Sequence, residues 1–271
     1  MQDRDATGPP LDWLTVAAIA AVAISLTVAF HEGVHATACA GVGGELREFS
    51  ALHVVCNHVS DWQRNVEAGS ASIANLLLGT IFWFVLSRGR SGSSELKFFF
   101  WLFMLMNWLY GAGYWMFSGA ANIGDWSVVI RGLEPHWLWR SAMFLVGSLL
   151  FLYFVWQALR ELGKFIGGEA EDQLPRARKL GSISYVTSLG VVVLAGFFHP
   201  SGFLSLPVVA GLFAVAGALS PLLWMSEWFQ ARMFEKERNP PLEIRRRWGV
   251  ISISVLVTLA YAVLLGQTLF F

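Results

Sequence analysis

The residues best equipped for chemistry are His31, Glu32 and His35, an H-E-x-x-H inside the otherwise apolar stretch FHEGVHATACAG. On an α-helix, side chains four apart share a face, so two imidazoles one turn apart can hold a single metal ion. Zinc suits that geometry, with about 2.0–2.1 Å to each nitrogen. Glu32 is rotated about 100° from His31 by the helical period, where a carboxylate reaches a water on the zinc without ligating the ion. That is the position of a general base that later protonates the leaving amine. Ionisable groups within a membrane span cost about 2.5–3.5 kcal/mol each on insertion scales, so three of them together call for compensation, which a shared ion supplies.

A catalytic zinc takes three protein ligands and keeps one position open. The third-ligand candidates are Asp125, His53, His58, His136 and His199. Asp125 follows a segment that begins near Lys97; at 1.5 Å per residue that helix crosses about 30 Å near Phe117 and delivers Asp125 to the membrane face of His31 and His35. Gly111, Gly113, Gly119 and Gly124 give the chain places to bend and aim the carboxylate inward.

The elements that must carry these residues are membrane helices. Of the 271 residues, 55% are apolar and 14% charged, with 13 Trp and 21 Phe, the profile of a polytopic membrane protein. A net charge of zero gives no nucleic-acid footprint. Seven stretches are long enough to span: 13–40, 68–87, 96–119, 138–159, 182–198, 203–225 and 249–270, with six possible, because the fifth is short and runs into His199 and Pro200. The chain is expected to be all-α, a single membrane-embedded domain over 1–271 with no separate soluble domain. The opening MQDRDATGPPLD lacks a basic n-region, so the first span is expected to be retained. RGRSGSSE reads as a short flexible turn. Cys39 and Cys56 allow at most one disulfide.

Seven spans place 15 of the 19 Lys and Arg on the side of the N-terminus and of the loops after the second, fourth and sixth spans. Only Arg47, Arg64, Arg131 and Arg140 fall on the other side. The positive-inside bias predicts a cytoplasmic N-terminus, with all six histidines at or toward the extracytoplasmic face.

The motif helix and the apolar, strand-like segment after it, HEGVHATACAGVGGELREFSALHV, resemble the site-2-protease family of intramembrane zinc metalloproteases. A second match is AGSASIANLLLGTIFWF, similar to the family's Gly/Ala-rich span start with an asparagine, here Asn75. The resemblance covers about residues 13–130; the helices over 138–270 match nothing in the family, and NIGDW stands where the family's commoner motif is L-D-G. It implies one Zn2+ per chain held by His31, His35 and Asp125, Glu32 as the base, and Asn75 as a hydrogen-bond donor to substrate or the tetrahedral intermediate. It implies a zinc metalloendopeptidase that cleaves membrane-associated proteins or peptides in contact with the lipid bilayer. A strand edge within ELREFSALHVVC would hold the unwound substrate. His53 and His58 could gate the site. Family members generally open toward the cytosol, opposite to the charge asymmetry here. The competing function is a non-proteolytic metal-binding membrane protein, a transporter, sensor or inactive scaffold. Retention of Glu32 counts against it, since pure binding needs ligands but no base. Substrate identity and oligomeric state are not legible in the sequence.

Overall fold

The computed structural model describes residues 10–89, 92–167, 170–228 and 241–271. Most of the opening stretch with Arg4, part of the RGRSGSSE turn with Arg90, and Arg232, Lys236 and Arg238 lie outside the described residues.

Helix α1 (Trp13–Gly41) starts at Asp12, whose carboxylate accepts the Thr15 N–H at 2.9 Å and so satisfies one of the donors that a helix start leaves open. The strand-like segment expected after it is an antiparallel hairpin, β1 (Glu45–Phe49) and β2 (Val54–Asn57). Helix α2 (Asp61–Ser87) opens with a capping box between Ser60 and Gln63. Next along the chain come α3 (Ser94–Ala121), the short α4 (Asp125–Val129), α5 (His136–Gly163), α6 (Ala170–Phe197) and α7 (Leu206–Leu219). The sixth predicted span breaks at Ser220 into α8 (Pro221–Trp224) and a 3-10 turn, Met225–Trp228. Helix α9 (Trp248–Leu259) continues as a π-helical segment, Ala260–Leu265, and β3 (Leu269–Phe270) returns to pair with β1, giving the sheet order β2-β1-β3.

Among the described residues, six helical segments are long and apolar enough to cross a membrane, and the architecture is that of an all-α polytopic membrane protein. They begin at Trp13, Asp61, His136, Asp172, Leu206 and Trp248. The third predicted span is α3, helical for 28 residues but not among the six. Asn107 and its Trp and Tyr residues lower its hydropathy, and every residue from Trp101 to Gly113 is buried, because α1, α2, α5 and α7 pack around it. A helix shielded from lipid on all sides need not be as apolar as one that faces it. The fifth predicted span starts earlier than the expected 182. Its polar first turns are helical too, with the Arg176 guanidinium donating to the Leu242 carbonyl and Arg178 paired to Glu227 at 2.7 Å.

At the end of the bundle where α1 and α3 begin, Arg246 pairs with Asp12 and Arg247 with Glu95, each at 2.9 Å. The site end carries the hairpin, α4 and the loop after α6.

Helices α2 and α3 approach closely because Gly111 has no side chain: a Cβ there would sit 2.7 Å from the Ser72 carbonyl and 2.7 Å from Leu76. Such close backbone approach at small residues is how helices pack without a hydrophobic drive between them. Gly111→Val should destabilise the detergent-solubilised protein by at least about 1–3 kcal/mol, the usual cost of overpacking, read as a lowered thermal midpoint. An unchanged midpoint would mean that α2 and α3 do not meet there.

Candidate metal centre

His31, Glu32 and His35 lie on α1 and are all buried. The His31 and His35 Nε2 atoms stand 3.3 Å apart. Asp125 Oδ2 lies 3.4 Å from the first and 3.3 Å from the second. Ligands about 2.0–2.1 Å from a tetrahedral zinc are separated from each other by about 3.3–3.4 Å, so the triangle has the dimensions of a tetrahedral face. Among the described residues this trio is the group of His, Cys, Asp and Glu that could hold a metal ion.

Hydrogen bonding fixes which atoms face the centre of that triangle. The Phe103 carbonyl can only accept, and it accepts from Asn107 Nδ2 at 2.8 Å. Asn107 Oδ1 is thereby turned to accept from Asn75 Nδ2 at 2.7 Å. Asn75 Oδ1 is then the acceptor for the His31 Nδ1–H, also at 2.7 Å. A neutral His31 protonated on Nδ1 presents a lone pair at Nε2. His35 is set in the same way: its Nδ1–H faces the Glu67 backbone oxygen and carboxylate, each at 3.0 Å, leaving Nε2 bare. Asp125 Oδ2 is buried and has no hydrogen-bond donor. Three lone pairs therefore converge with no proton between them, the donor set of a cation. Two imidazoles, one carboxylate and outer hydrogen bonds on both rings fit zinc.

Asp125 reaches this point by a turn. Helix α3 ends in the left-handed Asn122 (φ 57°), and Gly124 takes φ 82°, a conformation that favours glycine. Trp126, which follows Asp125 in NIGDW, donates from Nε1 to Ser72 Oγ at 2.6 Å and packs against Trp115, tying α4 to α2 and α3 beside the site.

The cluster lines a cavity of about 350 Å³ together with Glu32, Tyr114, His58 and the hairpin residues Leu52 to Cys56. Glu32 makes no hydrogen bond or ion pair with any described residue. Cys39 and Cys56 are joined by a disulfide that ties β2 to the last turns of α1. Asn75 does not line the cavity; it is wholly buried, and its carboxamide bridges His31 and Asn107.

Of the other candidate ligands, His58 lines the cavity wall, 4.0 Å from Glu67. His53 bonds Glu48 at 3.2 Å and faces His199 at 3.4 Å. Burial, with His53 adjacent, lowers the His199 pKa. His136 bonds Asn122 at 3.1 Å. None of these four joins the ligand triangle. Sequence reasoning missed Glu67 and Asn107. Asn75 was singled out by the resemblance of its segment to the family's span start, which says nothing of Asn107; the signal that could have found Asn107 is a lone asparagine in an apolar span.

Asp125→Ala and His35→Ala should each abolish stoichiometric zinc, measured by elemental analysis of the purified protein. Asn107→Leu should lower zinc affinity about 10- to 100-fold in chelator competition, although Asn107 touches no ligand. Full affinity in Asn107→Leu would break the hydrogen-bond relay as an account of the site. No family model, no curated protein and no solved structure matches the chain.

Proposed function

We infer that the protein is an intramembrane zinc metalloendopeptidase of the site-2-protease type. The observation that carries this reading is Glu32: a buried carboxylate with no hydrogen bond or ion pair among the described residues, in the same cavity as a converged His-His-Asp donor set. A site built only to bind metal has no use for such a group. It also weighs against a transporter, sensor or inactive scaffold.

Bound zinc would supply a Lewis acid and lower the pKa of a water toward about 7. The chain's own residues do the rest. His31, His35 and Asp125 would hold the ion. Glu32 takes a proton from the attacking water and returns it to the amine nitrogen as the C–N bond breaks. Asn75 and Glu67 fix the two ring tautomers and so keep both Nε2 lone pairs available. The hairpin residues Leu52 to Cys56 form one side, a roof, of the cavity that holds the ligands. The substrate is a membrane-associated protein or peptide.

Orientation belongs to the same reading. The paired arginines gather at the end where α1 starts, as the positive-inside bias places them in the cytoplasm. The disulfide lies at the other end, beside the site, and disulfides persist in oxidising compartments. The site is therefore assigned to the extracytoplasmic face.

Glu32→Gln should keep zinc and lose about 10²- to 10⁴-fold in cleavage of a quenched-fluorescent apolar peptide library in detergent. Wild-type rates in that variant would remove Glu32 as the base. In intact cells a membrane-impermeant maleimide should label Val59→Cys, 93% exposed beside the site, and not Arg245→Cys, 72% exposed at the opposite end. The reverse pattern would invert the orientation.

A further inference from the structure

Hydrolysis of an amide places negative charge on the carbonyl oxygen, and a donor must meet it. Asn75, the residue expected to do so, has its carboxamide committed to His31 and Asn107 outside the cavity. Other donors on the cavity wall are similarly placed. His53 has Glu48 on one ring nitrogen and Ser50 and His199 on the other. Arg64 pairs through Nη2 with Asp61 at 2.7 Å, which leaves its buried Nε without a partner, but among the described residues no ring or ion-pair contact ties it to a metal ligand. His58 Nε2 has no partner, but its near neighbour is Glu67, which binds the edge of His35 that faces away from the ligand triangle.

Tyr114 remains. It lines the cavity beside all three ligands, and its ring is stacked on that of His31 with centroids 4.8 Å apart and an interplanar angle of 27°. Its ring meets that of Tyr110 edge-on at 5.2 Å, and its hydroxyl lies within electrostatic reach of both Glu32 and Asp125. Tyr110 packs edge-on to the same imidazole at 4.9 Å. A phenol held between a metal ligand and a second aromatic ring, at the wall of the cavity, is a preorganised donor. We propose that Tyr114 is the oxyanion donor of this site, a catalytic residue that takes the part left open by Asn75. This rests on the peptidase reading.

In the step concerned, the water oxygen bonds to the scissile carbonyl carbon and its proton passes to Glu32. The carbonyl π pair moves onto the carbonyl oxygen. The Tyr114 O–H hydrogen-bonds that oxyanion without giving up its proton. On collapse the pair returns, the C–N bond breaks, and the proton on Glu32 goes to the amine nitrogen.

The test compares wild type with Tyr114→Phe for zinc content, for kcat and KM on the peptide library, and for affinity toward a phosphinic peptide that mimics the charged tetrahedral centre. The expected result is full zinc, a kcat lower by about 100- to 1,000-fold, a KM changed by less than about threefold, and phosphinate affinity weakened with kcat. Tyr110→Phe, which removes a hydroxyl that does not line the cavity, should lose less in kcat. Wild-type kcat in Tyr114→Phe would overturn this inference and leave the peptidase reading standing. Loss of zinc from Tyr114→Phe would overturn it too, by making the ring a support of His31. Wild type that holds zinc but neither cleaves peptides nor binds the phosphinate would overturn both.

Discussion

A single backbone carbonyl, that of Phe103, fixes the polarity of the metal centre. In an apolar span there is no water to satisfy a misdirected amide, so each member of the chain from Phe103 through Asn107 and Asn75 to His31 must point one way. The second Asn107 donor contact, to Thr27, is governed likewise: Thr27 gives its own hydroxyl proton to the Ala23 carbonyl at 2.8 Å and can only accept. Two carbonyls on two helices thus decide where the protons sit, and the Nε2 lone pair of His31 is the far end of that decision. The relay runs through α1, α2 and α3 and exists only while all three are in contact. Metal affinity and helix packing are therefore one property, and the close approach at Gly111 belongs to the site as much as to the fold.

The C-terminal helices have a clear physical task around this centre. The turn between β1 and β2 is held by the Leu265 carbonyl, which accepts the Ala51 N–H at 2.9 Å, and by Tyr261, whose hydroxyl donates to the Ala51 carbonyl at 3.1 Å. Both residues lie in the π-helical continuation of α9, a geometry that recurs at functional positions because it re-aims side chains within a helix. β3 pairs with β1 from the same direction, and Leu52 rests on the space left by Gly211 of α7. With the disulfide at the other side, the roof of the cavity is pinned from α1 and from α9 at once.

Much of this was legible before any coordinates. The H-E-x-x-H spacing placed two imidazoles on one face, and the rise of a helix across a bilayer carried Asp125 to the same membrane face, because both depend on fixed helical geometry. Asn75 was singled out by the resemblance, but its partner Asn107 was not, since spacing within one helix says nothing about which face meets which neighbour. Nothing in the sequence marked Glu67, whose contact with His35 exists only once α2 is packed against α1. The span of α3 was legible as a helix, and what its modest hydropathy reflects, enclosure by other helices, is a tertiary property. The early start of α6 was hidden because its polar turns find their partners, the Leu242 carbonyl for Arg176 and Glu227 for Arg178, in segments far away in sequence.

The most direct test of the convergent donor set is X-ray absorption at the zinc edge on the purified wild-type protein. The His31-His35-Asp125 triangle predicts one zinc per chain with two imidazole nitrogens and a carboxylate oxygen, all at about 2.0–2.1 Å, and a fourth light-atom ligand. Absence of zinc, sulfur in the coordination shell, or scattering from a single imidazole would contradict it.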